Sequence, residues 1–159
     1  MKPLIIKCRD AVQRTGFYML IAGLCGTGKT HLLRTVPNPG RTLVIDFEGG
    51  LRTVSDCDID AAPITDTKDL DSLLDEIESG SLVGQYDLIF IDSITALAEL
   101  VLSEQPDSPK EYMTKYRVMQ LRVSEYDKRF RHMPLHVVVT AGIHRNIENG
   151  LYEIQAPGT

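Results

Sequence analysis

Eight consecutive residues, Gly23-Leu24-Cys25-Gly26-Thr27-Gly28-Lys29-Thr30, match the phosphate-binding loop pattern G-x4-G-K-[ST] without a mismatch. The residue types explain the spacing. The glycines let backbone N–H groups turn inward around phosphate oxygens, and a helix opening directly after the loop adds partial positive charge at its N-terminus. Lys29 is expected to reach the β- and γ-phosphates, and the Thr30 hydroxyl to ligate Mg2+. The expected nucleotide-binding stretch runs from Gly23 through His31. Cys25 lies inside the loop within reach of thiol reagents, but reads as filler at a variable position.

Two carboxylates have the right setting to act on the same triphosphate. Asp92 follows the apolar run Leu88-Ile89-Phe90-Ile91, and an acid at such a strand end can hold Mg2+ opposite Thr30. Glu48, in Ile45-Asp46-Phe47-Glu48-Gly49-Gly50, ends another apolar run and can orient and polarise the water that attacks the γ-phosphate. Asp46 alternates with Glu48 and is expected to support it. Thr140, at the end of Leu135-His136-Val137-Val138-Val139-Thr140, is a candidate γ-phosphate sensor or simply a strand end.

Elements that would position these groups are legible in the patterning. Strands are expected over 17–22, 42–47, 88–92 and 135–140, with shorter ones over 61–64, 151–154 and near Leu4-Ile5-Ile6. The continuous apolarity of 88–91 suits a parallel strand covered on both faces. A helix is expected from the loop to about Val36, where Pro37-Asn38-Pro39-Gly40 stops it. A second begins at Asp66 or Thr67 and carries Leu70, Leu73, Leu74 and Ile77 on one face. Ser93 can cap a third. A fourth opens at the capping box Ser108-Pro109-Lys110-Glu111 and runs to about His132. The stretch 141–150 reads as a polar loop. Strands alternating with helices predict an α/β three-layer sandwich around a mostly parallel sheet, with ligands at the carboxyl ends of the strands.

The chain has 159 residues, enough for one domain with a real core. Apolar residues make up 43% and charged residues 25%, an ordinary balance for a soluble globular protein. No run approaches the ~20 apolar residues of a membrane span, so no membrane partner is expected. The three cysteines, Cys8, Cys25 and Cys57, are too scattered for a disulfide framework or a zinc site, and a cytoplasmic setting follows. The net charge of −5 is unevenly spread. Acids dominate from Thr42 to Asp107, whereas bases dominate from Lys110 to Arg131. Such asymmetry can mark a nucleic-acid or partner face.

Together GLCGTGKT, LVIDFEGGLR, YDLIFIDSITALAEL and HVVVTAGIHRN, in that order, resemble the RecA-like branch of P-loop ATPases, and most of all its phage-type nucleotide-binding proteins. The resemblance spans about residues 15–150. It implies a RecA-like P-loop domain over 1–159 that binds ATP with Mg2+, with Glu48 at the family's catalytic glutamate and Asp92-Ser93 at its Walker-B acid and the serine after it. It further implies ATP hydrolysis tied to DNA recombination, single-strand annealing or replication, usually in homo-oligomers, in the cytoplasm of a phage-infected or bacterial cell. Two departures stand out. Thr140-Ala141 occupies the place of the Asn-Gln pair that senses the γ-phosphate in RecA recombinases. The sequence also stops soon after the fourth strand, as a trimmed or minimal version of the family would.

On the helix at 110–131, Tyr112, Tyr116, Met119, Val123, Tyr126 and Phe130 form an apolar stripe, read first as packing on the sheet and second as a subunit contact. Lys115, Arg122 and Arg129 recur every seven residues as a basic column. Glu111 and Glu125 sit four residues before Lys115 and Arg129, which suits pairing along an exposed face. Arg122 and Arg129 are also candidates for DNA phosphate, and His144 and Arg145 for DNA or for a neighbouring subunit's nucleotide. Two other functional classes stay open: a nucleoside-type small-molecule kinase, whose Arg-rich lid would fall at 128–131, and a nucleotide-binding assembly module with negligible turnover. No Asn-Lys-x-Asp guanine-reading motif occurs, which favours ATP over GTP.

Overall fold

A computed structural model of the chain describes residues 16–82, 84–106, 112–146 and 151–154. The capping box at 108–111 and the strand expected near Leu4 lie outside the described residues. Five parallel strands, β1 (Tyr18–Gly23), β2 (Thr42–Asp46), β3 (Asp60–Pro63), β4 (Leu88–Asp92) and β5 (His136–Arg145), pair in the order β1-β5-β4-β2-β3. β6 (Tyr152–Ile154) runs antiparallel against the far end of β5. The helices are α1 (Thr67–Ser79), α2 (Ile94–Ser103) and α3 (Tyr112–His132). None of the described helices is long and apolar enough to cross a membrane.

Register explains why the strands read as unbroken apolar runs. Leu20, Val139, Ile91, Ile45 and Ala62 are successive partners across the sheet. Alternate residues then feed two cores. Leu43, Ile45, Ile89, Ile91, Val137 and Val139 pack beneath the α-helices with Leu70, Leu74, Leu97 and Phe130. Val44, Phe90 and Val138 face the other way and meet Leu33 and Val54 from short 3-10 helices. The architecture is therefore α/β with helices on both faces, as expected, but the two layers are unequal.

The helix after the phosphate loop is present with about the expected end, as a 3-10 helix, Thr30–Thr35, capped at Val36. Val36 precedes Pro37 and is held extended, with ψ 137°, and the Thr35 hydroxyl donates to Leu32 O. Too few residues remain for a stable α-helix. β5 also differs, since it continues through 141–145 where a loop was expected. The antiparallel pairs Ile143–Ile154, His144–Glu153 and Arg145–Tyr152 supply that extension with partners.

The caps follow expectation. Asp66 accepts from the Asp69 N–H at 2.8 Å, and Ser93 accepts from the Ala96 N–H at 3.2 Å. The apolar stripe of α3 is core: Met119, Tyr126 and Phe130 are buried, with Tyr116 and Val123 packed beside them. The side chain of Tyr112 lies outside the described residues.

Candidate nucleotide site

The parallel sheet brings the C-terminal ends of β1, β2, β4 and β5 to one edge, where four of the expected polar groups sit. Between β1 and the 3-10 helix, Gly26 and Gly28 have φ of 75° and 89°, a region costly for residues with a Cβ. The Thr27 N–H and hydroxyl both donate to Leu24 O, at 3.3 and 2.8 Å, and close the turn. A Cβ on Gly23 would stand 2.8 Å from Thr27 Oγ1, so the first glycine is needed for that closure. Lys29 Nζ donates to the carbonyls of Gly23 and Leu24 at 3.0 and 3.1 Å, which holds its charge over the loop. The following helix is only about two turns of 3-10, so it lends the loop little helix dipole.

Thr30 and Asp92, far apart in sequence, meet directly: Thr30 Oγ1 donates to Asp92 Oδ2 at 2.6 Å. Asp92 is 1% exposed. Its other oxygen accepts from Thr140 Oγ1 at 2.6 Å, and Thr140 Oγ1 also lies 3.2 Å from Ile91 O. Thr140, expected as either a γ-phosphate sensor or a strand end, is thus in direct contact with the acid. Its hydroxyl is fully buried and turned into the sheet, where it supports the acid. The Asp92–Ser93 peptide is cis.

Glu48 follows β2, the strand next to β4 in the sheet. Asp46, the register partner of Asp92, accepts the backbone N–H groups of Glu48 and Gly49 at 3.0 and 2.9 Å. The supporting role expected for Asp46 thus takes the form of a backbone clamp. Ser93 Oγ donates to Glu48 Oε1 at 2.5 Å. Lys29 and Glu48 line one cleft of about 450 Å3, with Cys25, Phe47, Thr95 and Glu99 among its walls. Sequence reasoning missed Ser93 as a partner of Glu48, and missed Thr95 and Glu99 altogether. The last two sit four apart on α2, on the face that starts beside Asp92, and this spacing was the available signal. The Thr95 hydroxyl accepts from the Gly142 N–H at 2.9 Å and ties α2 to β5. Another cavity, of about 440 Å3, opens at the opposite end of the strands beside Phe17, Leu88 and His136. None of the expected site residues lines it.

The basic column of α3 does not join the site. Arg129 reaches Asp71, Asp75 and Glu78 of α1 at 3.2, 2.6 and 2.7 Å. Arg122 bonds the Tyr126 hydroxyl at 3.0 Å and lies 3.6 Å from Asp71. Arg129 thus turns to α1 instead of pairing with Glu125, whereas the Arg122 side chain stays 41% exposed. His144 and Arg145 lie in the β5–β6 hairpin, beyond the phosphate edge. His144 Nδ1 is buried without a hydrogen-bond partner among the described residues. Tyr126, beside Asp71, has its phenol pKa raised, first by burial and then by that carboxylate.

Comparison with known proteins gives one family. A model described as an AAA domain matches residues 15–150, most of the chain. No curated protein matches it.

Proposed function

This chain belongs to the AAA domain family, and from that premise we propose that it is a Mg2+-dependent ATPase that hydrolyses ATP to ADP and phosphate. The observation that carries the reading is the convergence of Lys29 and Glu48 on one cleft with the Thr30–Asp92 contact of 2.6 Å beside it. A hydroxyl and a buried carboxylate in contact form an all-oxygen donor pair, which fits Mg2+. Thr30 and Asp92 would hold the ion, which when bound neutralises charge across the β- and γ-oxygens. Lys29 and the amides of 23–31 bind the phosphates. Glu48 takes a proton from water as its oxygen bonds to the γ-phosphorus, and the bond to the β-bridging oxygen breaks to leave ADP.

Phosphate release with ATP and Mg2+ is the test. Glu48→Gln is expected to keep nucleotide binding and lower turnover by about 10²-fold or more. Wild-type turnover in that variant would mean that the base has been assigned to the wrong carboxylate. The kinase reading is weaker, because Arg129 of its candidate lid at 128–131 is tied to three acids of α1. Absence of phosphate release with intact binding would favour the assembly module.

The resemblance to RecA-like proteins extends the proposal to DNA recombination, annealing or replication by a homo-oligomer in a phage or bacterial cytoplasm. Arg122, Arg129, His144 and Arg145 are the candidates for DNA, and His144 and Arg145 also for a neighbouring subunit's nucleotide. Turnover measured with and without single-stranded DNA tests the coupling, and equal rates would remove it. Sedimentation with and without ATP tests the assembly.

A further inference from the structure

We propose that Ser93 is a positioning residue that aims the Glu48 carboxylate, a role resting on the reading of Glu48 as the base. Glu48 is exposed and is followed by Gly49, with φ 67°, and Gly50. A long acidic side chain in such a place has several rotamers to lose. A base needs one of them. Two clamps select it. Asp46 Oδ1 holds the backbone N–H groups of Glu48 and Gly49, and Ser93 Oγ holds the carboxylate through Oε1 at 2.5 Å.

Ser93 suits this task because it is fully buried and its hydrogen bonds leave it little choice. A serine hydroxyl has one proton and two lone pairs. The Ala96 N–H takes up a lone pair at 3.2 Å, which orients the hydroxyl and sends its proton to Glu48. Helix capping alone needs only an acceptor; the donated bond is additional. With Oε1 held, Oε2 is the oxygen left to take the water's proton. Adjacent residues at the end of β4 therefore divide the site. Asp92 addresses Thr30 on the metal side, and Ser93 addresses Glu48 on the water side.

The test is a double-mutant cycle on the full chain, reading steady-state phosphate release and ATP binding. Ser93→Ala is expected to lower kcat about 10- to 100-fold, with KM and ATP affinity within about twofold. Ser93→Cys keeps the shape with a weak donor and is expected to show the same split, which covers the case in which the alanine variant does not fold. In a Glu48→Gln background, Ser93→Ala is expected to cost nothing further, because its effect passes through the removed carboxylate. Equal proportional losses in both backgrounds would reduce Ser93 to a helix cap and overturn the proposal. So would normal kcat in both Ser93 variants when Glu48→Gln is inactive, an outcome that leaves the assignment of Glu48 standing. Normal turnover in Glu48→Gln itself overturns the assignment and, with it, the role of Ser93.

Discussion

Asp92 has two carboxylate oxygens, and both are committed: one to Thr30, the other to Thr140. An acid so fixed presents a defined oxygen to a cation, whereas one held from a single side can swing. Thr140→Val removes the second bond while keeping the shape and leaves a buried oxygen unsatisfied. The expected cost is about 1–3 kcal/mol of stability, together with a rise in the Mg2+ concentration needed for half-maximal turnover. An unchanged Mg2+ requirement would reduce Thr140 to strand filler. Lys29→Ala removes the charge held over the loop by Gly23 and Leu24. If a charge-assisted bond to phosphate is lost, worth about 1.5–3 kcal/mol, ATP affinity should fall at least tenfold in equilibrium binding. Lys29, Thr30, Glu48 and Asp92 could be singled out from the sequence as candidates because each follows an apolar run or completes a fixed spacing. Their supports, Thr140 and Ser93, were not read as such. A hydroxyl's partner is set by which strand lies next door, and the sequence does not order the strands.

The pairing of α1 with α3 shows the same limit between elements. Asp71, Asp75 and Glu78 fall at i, i+4 and i+7 on α1, and Arg122 and Arg129 fall seven apart on α3. Each stripe alone reads as a solvated face, and the basic one also as a surface for DNA. Placed against each other, they form an interhelical clamp centred on Arg129, whose side chain is 21% exposed. The acids remain partly in water, so the clamp is worth about 1 kcal/mol, not the sum of three ion pairs. Arg129→Met should lower urea stability by that amount at low salt, with the difference shrinking as salt rises. ATP turnover should be unaffected. Beneath the clamp, Phe130 is fully buried, and Phe130→Ala should cost about 3–5 kcal/mol. The apolar stripe was read correctly as core because period and hydrophobicity alone decide that question. The 3-10 form of residues 30–35 and the extension of β5 were not legible, since each depends on local competition or on a partner strand.

At the scale of the whole molecule, the parallel sheet separates two ends with different work. The C-terminal ends carry the site. At the N-terminal ends, Asp87 gathers three strands: its backbone N–H donates to Arg41 O at 2.8 Å, its carbonyl accepts from the His136 N–H at 3.0 Å, and its carboxylate takes both Arg41 Nε and Nη2 at 2.6 Å. The Arg41 hydrogen bonds are the main cause that lowers the Asp87 carboxyl below its ordinary value of 3.8. A carboxyl whose pKa is lower folded than unfolded stabilises the native state fully above its ordinary value. That contribution is lost as pH falls through the lowered one. Asp87→Asn should therefore be less stable than wild type at neutral pH by urea unfolding, with the gap narrowing at pH 3 and below as the native carboxylate is protonated. A gap that stays constant from pH 7 down to acid would show that the ionised pair contributes nothing and that the asparagine acts through packing alone. Because Asp87 lies at the far end of the strands from Glu48, the same variant should turn over ATP at the wild-type rate wherever it is folded.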